Sequence, residues 1–149
     1  MKVKQCATIF DVAKYILHEY GKMSTWKLQK LCYYSQAWQL AWAEEPIFNE
    51  DFEAWSNGPV SPDLFRIHKG RFFVDEKLFS FADINNLTED EKDTIDIILR
   101  EYGDMEPYEL RAQTHSEPPW KDARQGLDDF VRSNKVISKD SMYDYYGQF

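Results

Sequence analysis

The side chains best suited to covalent chemistry in this chain stand together as Thr114-His115-Ser116-Glu117, followed by Pro118-Pro119-Trp120. An imidazole, a hydroxyl and a carboxylate are the ingredients of nucleophilic hydrolysis. Consecutive residues, however, do not face one another as a catalytic triad requires. A zinc site would need two or three further ligands, and His18 and His68 lack ligand spacing. The competing reading is structural: Thr114 or His115 hydrogen-bonds a helix end, and Trp120 packs on the core. We adopt it, and with it the expectation of no catalytic residue, no metal and no cofactor.

Three other groups invite a functional reading. Asp51, Glu53, Glu44 and Glu45 could include a general acid–base pair. No apolar pocket residue is tied to them by spacing, so they read as a solvated acidic rim. The aromatic run from Tyr33 to Trp42 could stack nucleic-acid bases. It lacks interleaved Arg and Lys beyond Lys30 and reads as core. Asn57-Gly58-Pro59 forces a tight turn with Asn57 or Gly58 at positive φ. Binding residues often sit on loops held by rigid elements, so this turn is equally a recognition loop. No glycine-rich phosphate loop, nucleophile elbow or CxxC pair occurs.

The elements that must position these residues are legible from periodicity and caps. Ser24 or Thr25 opens a helix over Thr25–Ala43. Leu28, Leu31, Cys32, Ser35 and Trp42 share one face, while Tyr33, Tyr34, Ala37, Leu40 and Ala41 put apolar surface on the others. A helix apolar nearly all round belongs in the middle of a domain. Phe52–Trp55 alternates as a half-buried strand does. Ser61 then caps a helix with Pro62 at its first position and Asp63 in its first turn.

Upstream, Thr8 and Asp11 form a capping box for a helix reaching Tyr20, with Gly21 as a left-handed cap. Its stripe is Ile9, Val12, Ala13, Ile16, Leu17 and Tyr20, and His18 lies off it. Ile47-Phe48 is expected as a short strand, and Lys77–Phe81 as a strand pairing with Phe52–Trp55. Thr88 and Glu91 box the start of a helix with Ile95, Ile98, Leu99 and Tyr102 inward and Gly103 at its end. A helix starting near Pro107 is expected to stop at Glu117-Pro118-Pro119-Trp120. A weaker one follows from Asp122 into the 130s, and Ser138 caps a last one over Lys139–Tyr146. The expected class is mainly α (α+β), a single compact domain around a buried central helix with a small β element.

At 149 residues the chain can bury one sizeable core. Its 43% hydrophobic and 16% aromatic content excludes a disordered segment. Eighteen basic against 26 acidic residues give a net charge of −8. Such a surface repels phosphate backbones and favours a basic protein partner. Lys2, Lys4, Lys27 and Lys30 are too few for a nucleic-acid patch. No apolar run approaches the roughly 18 residues of a membrane span. Cys6 and Cys32 form no metal motif and, with no secretory leader, are expected as reduced thiols in a cytoplasmic protein.

Three blocks carry a resemblance: Lys27-Leu28-Gln29-Lys30-Leu31-Cys32-Tyr33-Tyr34 with Trp38, Glu53-Ala54-Trp55-Ser56-Asn57-Gly58-Pro59-Val60, and Thr114-His115-Ser116-Glu117-Pro118-Pro119-Trp120. In order and spacing the chain resembles the Panacea-domain family of SocA-like and GepA-like proteins. Gln113 departs from that pattern, which usually has an apolar residue before the Thr-His pair. The resemblance implies a bacterial or prophage-borne antitoxin that binds a cognate toxin encoded by an adjacent gene. One member of the family instead delivers its toxin to a Clp-type protease. Some members carry an added DNA-binding domain; the short lead before Thr8 leaves no room for one, which favours direct toxin binding. Trp55, Asn57, Gly58, Pro59 and Phe65 are the expected contacts. Lys27, Leu28, Leu31, Tyr34, Trp38, Thr114, His115 and Trp120 are expected to be structural. The rival from another class is a hydrolase built on His115, and a prophage structural or regulatory protein is a third option.

Overall fold

The computed structural model describes residues 7–149; Lys2, Lys4 and Cys6 lie outside them. Helix α1 (Ile9–Tyr20) opens on the Thr8–Asp11 capping box and buries Ile9, Val12, Ala13, Ile16 and Leu17. Two details differ from expectation. Tyr20 is exposed, drawn outward by Lys27, whose Nζ donates to its hydroxyl at 3.1 Å. Gly21 has φ 98° but ψ −169°, so it leaves the helix in an extended conformation instead of a left-handed cap.

Helix α2 (Thr25–Ala43) is capped by the Ser24 side chain and is buried on nearly every side. It packs against α1, α4 (Glu89–Tyr102), α5 (Pro107–Ser116) and α7 (Lys139–Tyr146). Burial of its polar residues requires partners in place of water. Gln29 accepts from the Ser61 backbone N–H at 2.8 Å and donates to the Ser61 carbonyl at 3.2 Å. Ser35 donates to the Leu31 carbonyl, and Gln39 accepts from Thr94. Trp42 leaves the core face and is 49% exposed, its ring against Trp38.

The β structure is small. Strand β1 (Met23–Ser24) pairs antiparallel with β4 (Phe73–Val74). A second sheet has the order β3-β2-β5, with β2 (Phe52–Trp55), β3 (Gly58–Val60) and β5 (Val136–Ile137), all antiparallel. Ile47-Phe48 forms no strand. The Gln36 amide accepts from Ile47 N–H at 2.8 Å and donates to the Phe48 carbonyl at 2.7 Å, in place of a neighbouring backbone. Nor is Lys77–Phe81 a strand. Asp75 caps a 3-10 turn over Glu76–Phe79, and the free edge of β2 is taken by β5.

The hairpin leads into α3 (Pro62–His68), capped by Ser61 as its sequence requires. Helix α5 has its own capping box between Glu106 and Glu109. Glu117 ends it and also begins α6 (Pro118–Ala123), because Pro118 is tolerated at a first helical position. The helix expected from Asp122 onward is absent. Gln125 and Gly126 take positive φ, and Arg124 instead draws in the carbonyls of Asp128 and Val131.

Candidate partner-binding groove

The hairpin β2–β3 and helix α3 form one wall of a cavity of about 830 Å³. Alternation along β2 buries Phe52 and Ala54 and leaves Glu53 and Trp55 half-buried on the other face. Trp55 Nε1 donates to Glu53 Oε1 at 2.8 Å, which fixes the indole. Its ring meets Phe65 of α3 edge-on at 5.1 Å. Phe65 in turn lies 6.4 Å from Trp26 at the start of α2. Trp26, Trp55 and Phe65 thus make an aromatic floor, rimmed by Glu53, Asn57, Lys69 and Arg132.

Of the contacts expected from sequence, Trp55, Asn57 and Phe65 are brought together here. Gly58 and Pro59 are buried within β3, so the surface of this turn is offered by Asn57 and Trp55. The positive φ falls on Gly58, at 111°. An added Cβ there would stand 2.5 Å from Lys30 Cε, 3.2 Å from Lys30 Nζ and 3.1 Å from Thr114 Oγ1. Glycine is needed twice at this position, for its dihedral and for close approach.

Behind the hairpin lies a second cluster. Trp120 Nε1 donates to the Trp55 carbonyl at 2.9 Å, and His115 stacks on the Trp120 ring at 3.7 Å. Arg124 holds the same strand from its side, donating to the Ala54 carbonyl at 2.8 Å. Thr114 is fully buried and donates to the Arg111 carbonyl. His115 Nδ1 lies 3.5 Å from Asp129, and no side chain among the described residues hydrogen-bonds its Nε2. Burial, reinforced by the Arg111 charge, holds its pKa below the usual imidazole range. Lys30 is 2% exposed; burial and the same Arg111 charge bring its ammonium down to about 7.

Glu117 closes the cluster on the other side. It accepts from Tyr34 at 2.8 Å and Tyr146 at 2.7 Å, joining α2, α5 and α7. Burial nevertheless pushes its carboxyl above the ordinary range.

The remaining positions expected to be structural distribute as follows. Leu28 and Leu31 are fully buried, and Tyr34 stacks on Tyr102 at 4.3 Å. Lys27 is buried against Tyr20. Trp38 is half-buried, its Nε1 donating to Tyr102 at 3.0 Å. Sequence reasoning missed Trp26, Lys69 and Arg132 in the groove, and behind it the burial of Lys30 and Arg124 and of the Arg111 Nε atom. The one local signal was the Arg111–His115 spacing, which places both on a single face of α5.

Among the described residues no three His, Cys, Asp or Glu side chains converge, and no helix is long and apolar enough to cross a membrane. Compared with known proteins, residues 28–121 match the family model described as "Antitoxin SocA-like, Panacea domain". No curated protein and no solved structure matches the chain.

Proposed function

The chain belongs to the SocA-like antitoxin family, the Panacea domains, and from that premise we propose that it neutralises a cognate toxin by binding it directly through the Trp55 groove. The observation that carries this reading is the groove's composition: three aromatic rings at its floor and charged or amide groups at its rim. Protein interfaces are built this way, with aromatic anchors in a desolvated centre and polar groups around them. The net charge of −8 favours a toxin with a basic face and speeds its encounter with the groove.

The test is co-expression with the toxic product of the adjacent gene. Wild-type protein restores growth, whereas folded Trp55→Ala and Phe65→Ala variants fail. Truncating an anchor costs about 2 kcal/mol or more, on the order of 30-fold in affinity. No rescue by the wild type sinks the antitoxin reading; equal rescue by both variants sinks only the groove. Rescue that persists in a host lacking Clp-type proteases separates occlusion from proteolytic delivery.

A further inference from the structure

Three side-chain nitrogens behind β3, Lys30 Nζ, Arg111 Nε and His115 Nε2, are buried and lack a hydrogen-bond partner among the described residues. The His115 ring turns Nδ1 to Asp129, so its Nε2 becomes a donor when the ring is protonated. Lys30 comes from α2, while Arg111 and His115 come from one face of α5, the helix that packs on both α2 and β3. Gly58 closes one side of Lys30 by close packing: a Cβ added there would stand 2.5 Å from Lys30 Cε, 3.2 Å from Nζ and 3.1 Å from Thr114 Oγ1. Burying an ammonium without an acceptor costs several kcal/mol, and a neighbouring guanidinium adds repulsion. A deprotonated lysine relieves part of that cost, and a bound anion offsets it through charge-assisted hydrogen bonds.

We propose that Lys30, Arg111 and His115 form a binding site for an oxyanion, with a phosphoryl group as the class that fits. Donors arriving from two helices match a tetrahedral anion, whose oxygens point in several directions, better than the two coplanar oxygens of a carboxylate. The groove adjoins Lys30 through one residue. Trp26 lines that cavity, and its ring centroid lies 5.4 Å from Lys30 Nζ. The site does not rest on the antitoxin reading and is tested on the purified chain alone.

Binding is coupled to proton uptake. Lys30 and His115 both have lowered pKa values in the free protein, and an anion beside them favours their charged forms. The other charged and titratable groups facing them are Arg111, Asp129 and His68, and His68 is itself lowered, chiefly by burial and then by the Lys30 charge. Affinity therefore rises as pH falls.

The experiment measures melting temperature against sodium phosphate, phenyl phosphate and sodium sulfate, with sodium chloride at matched ionic strength as the reference. At a hundredfold excess over Kd the rise is about 5–10 °C. Sulfate, whose charge is constant over the range, binds about tenfold or more weaker at pH 9 than at pH 6. Lys30→Met removes the response, and Arg111→Gln, at a half-exposed position, is the second variant and weakens it about tenfold or more. A response to phosphate and phenyl phosphate alike assigns the site to the phosphoryl group of a larger ligand; phosphate alone assigns it to the free anion. No rise beyond that of chloride, or an equal rise in both variants, overturns the proposal.

Discussion

Replacing Gly58 by alanine tests the close approach at the hairpin most directly. Two costs combine. The first is conformational, since φ at 111° lies where side chains other than glycine are strained, at about 1–3 kcal/mol. The second is steric, since the new methyl stands 2.5 Å from Lys30 Cε. A flexible lysine would ordinarily swing aside, but this one is 2% exposed and sits against Trp26 and Thr114. Forcing a methyl into such packing costs about 1–3 kcal/mol. The sum, about 2–6 kcal/mol, lowers the melting temperature of a domain this size by roughly 5–25 °C. The assay is urea unfolding followed by circular dichroism on wild type, Gly58→Ala, Lys30→Ala and the double variant. Shortening Lys30 removes the obstructing Cε, so in that background the conformational cost and the 3.1 Å approach to Thr114 Oγ1 remain. The cycle should return a coupling energy of about 1–3 kcal/mol. A single variant within about 0.5 kcal/mol of wild type, or a cycle with no coupling, would refute the packing argument.

The same region has a pH signature. Lys30 titrates near 7 in the folded chain against 10.5 ordinarily, so between those values the unfolded state binds the extra proton. Wild-type stability in chloride buffer should rise with pH across that window, by up to about 5 kcal/mol, and Lys30→Met should be flat there and at least as stable at pH 7. Glu117 behaves in the opposite sense. Its raised carboxyl pKa means that the folded state holds the proton more tightly, so its charging costs stability as pH rises from about 4.5. Glu117→Gln keeps an acceptor for Tyr34 and Tyr146 and should gain on wild type above that pH. Glu117→Ala, which orphans both hydroxyls, should cost about 2–5 kcal/mol in the same urea titrations.

What the sequence disclosed was decided locally. Caps at Thr8, Ser24, Ser61, Thr88 and Ser138 set the starts of α1, α2, α3, α4 and α7, because each is a side chain bonding a backbone N–H three residues on. Features decided across the chain were not legible. Strand β5 is two residues long and exists because β2, far upstream, offers it an edge. Ile47 and Phe48 read as strand by composition, yet a side-chain amide from α2 satisfies them. Lys30, one of several polar residues along α2, gives no sign in the sequence that its head is buried. Only the approach of Gly58 and the face of α5 closes over Lys30. The groove divides the same way: Trp55, Asn57 and Phe65 belong to one hairpin and the helix after it, whereas Trp26 and Arg132 arrive from distant segments.

The three separated blocks that resemble the family turn out to be one physical cluster. Lys30 and Thr114 meet at Gly58, Tyr34 donates to Glu117, and Trp120 donates to the Trp55 carbonyl, so every pair of blocks is joined. Their shared spacing is thus the spacing of a packing constraint, one that holds the hairpin from behind. In front, Trp26, Phe65, Lys69 and Arg132 belong to none of the blocks, and they supply two of the three floor rings and both basic groups of the rim. Substitutions at Lys69 and Arg132 would change the charge at the groove's rim, whereas Trp26 and Phe65 also contact the cluster, at Lys30 and Trp55. A hairpin fixed in this way loses little freedom when Trp55 is covered, and freedom not lost on binding is retained as affinity. On the binding reading proposed above, the packed rear keeps the anchor rigid and the front selects what it binds.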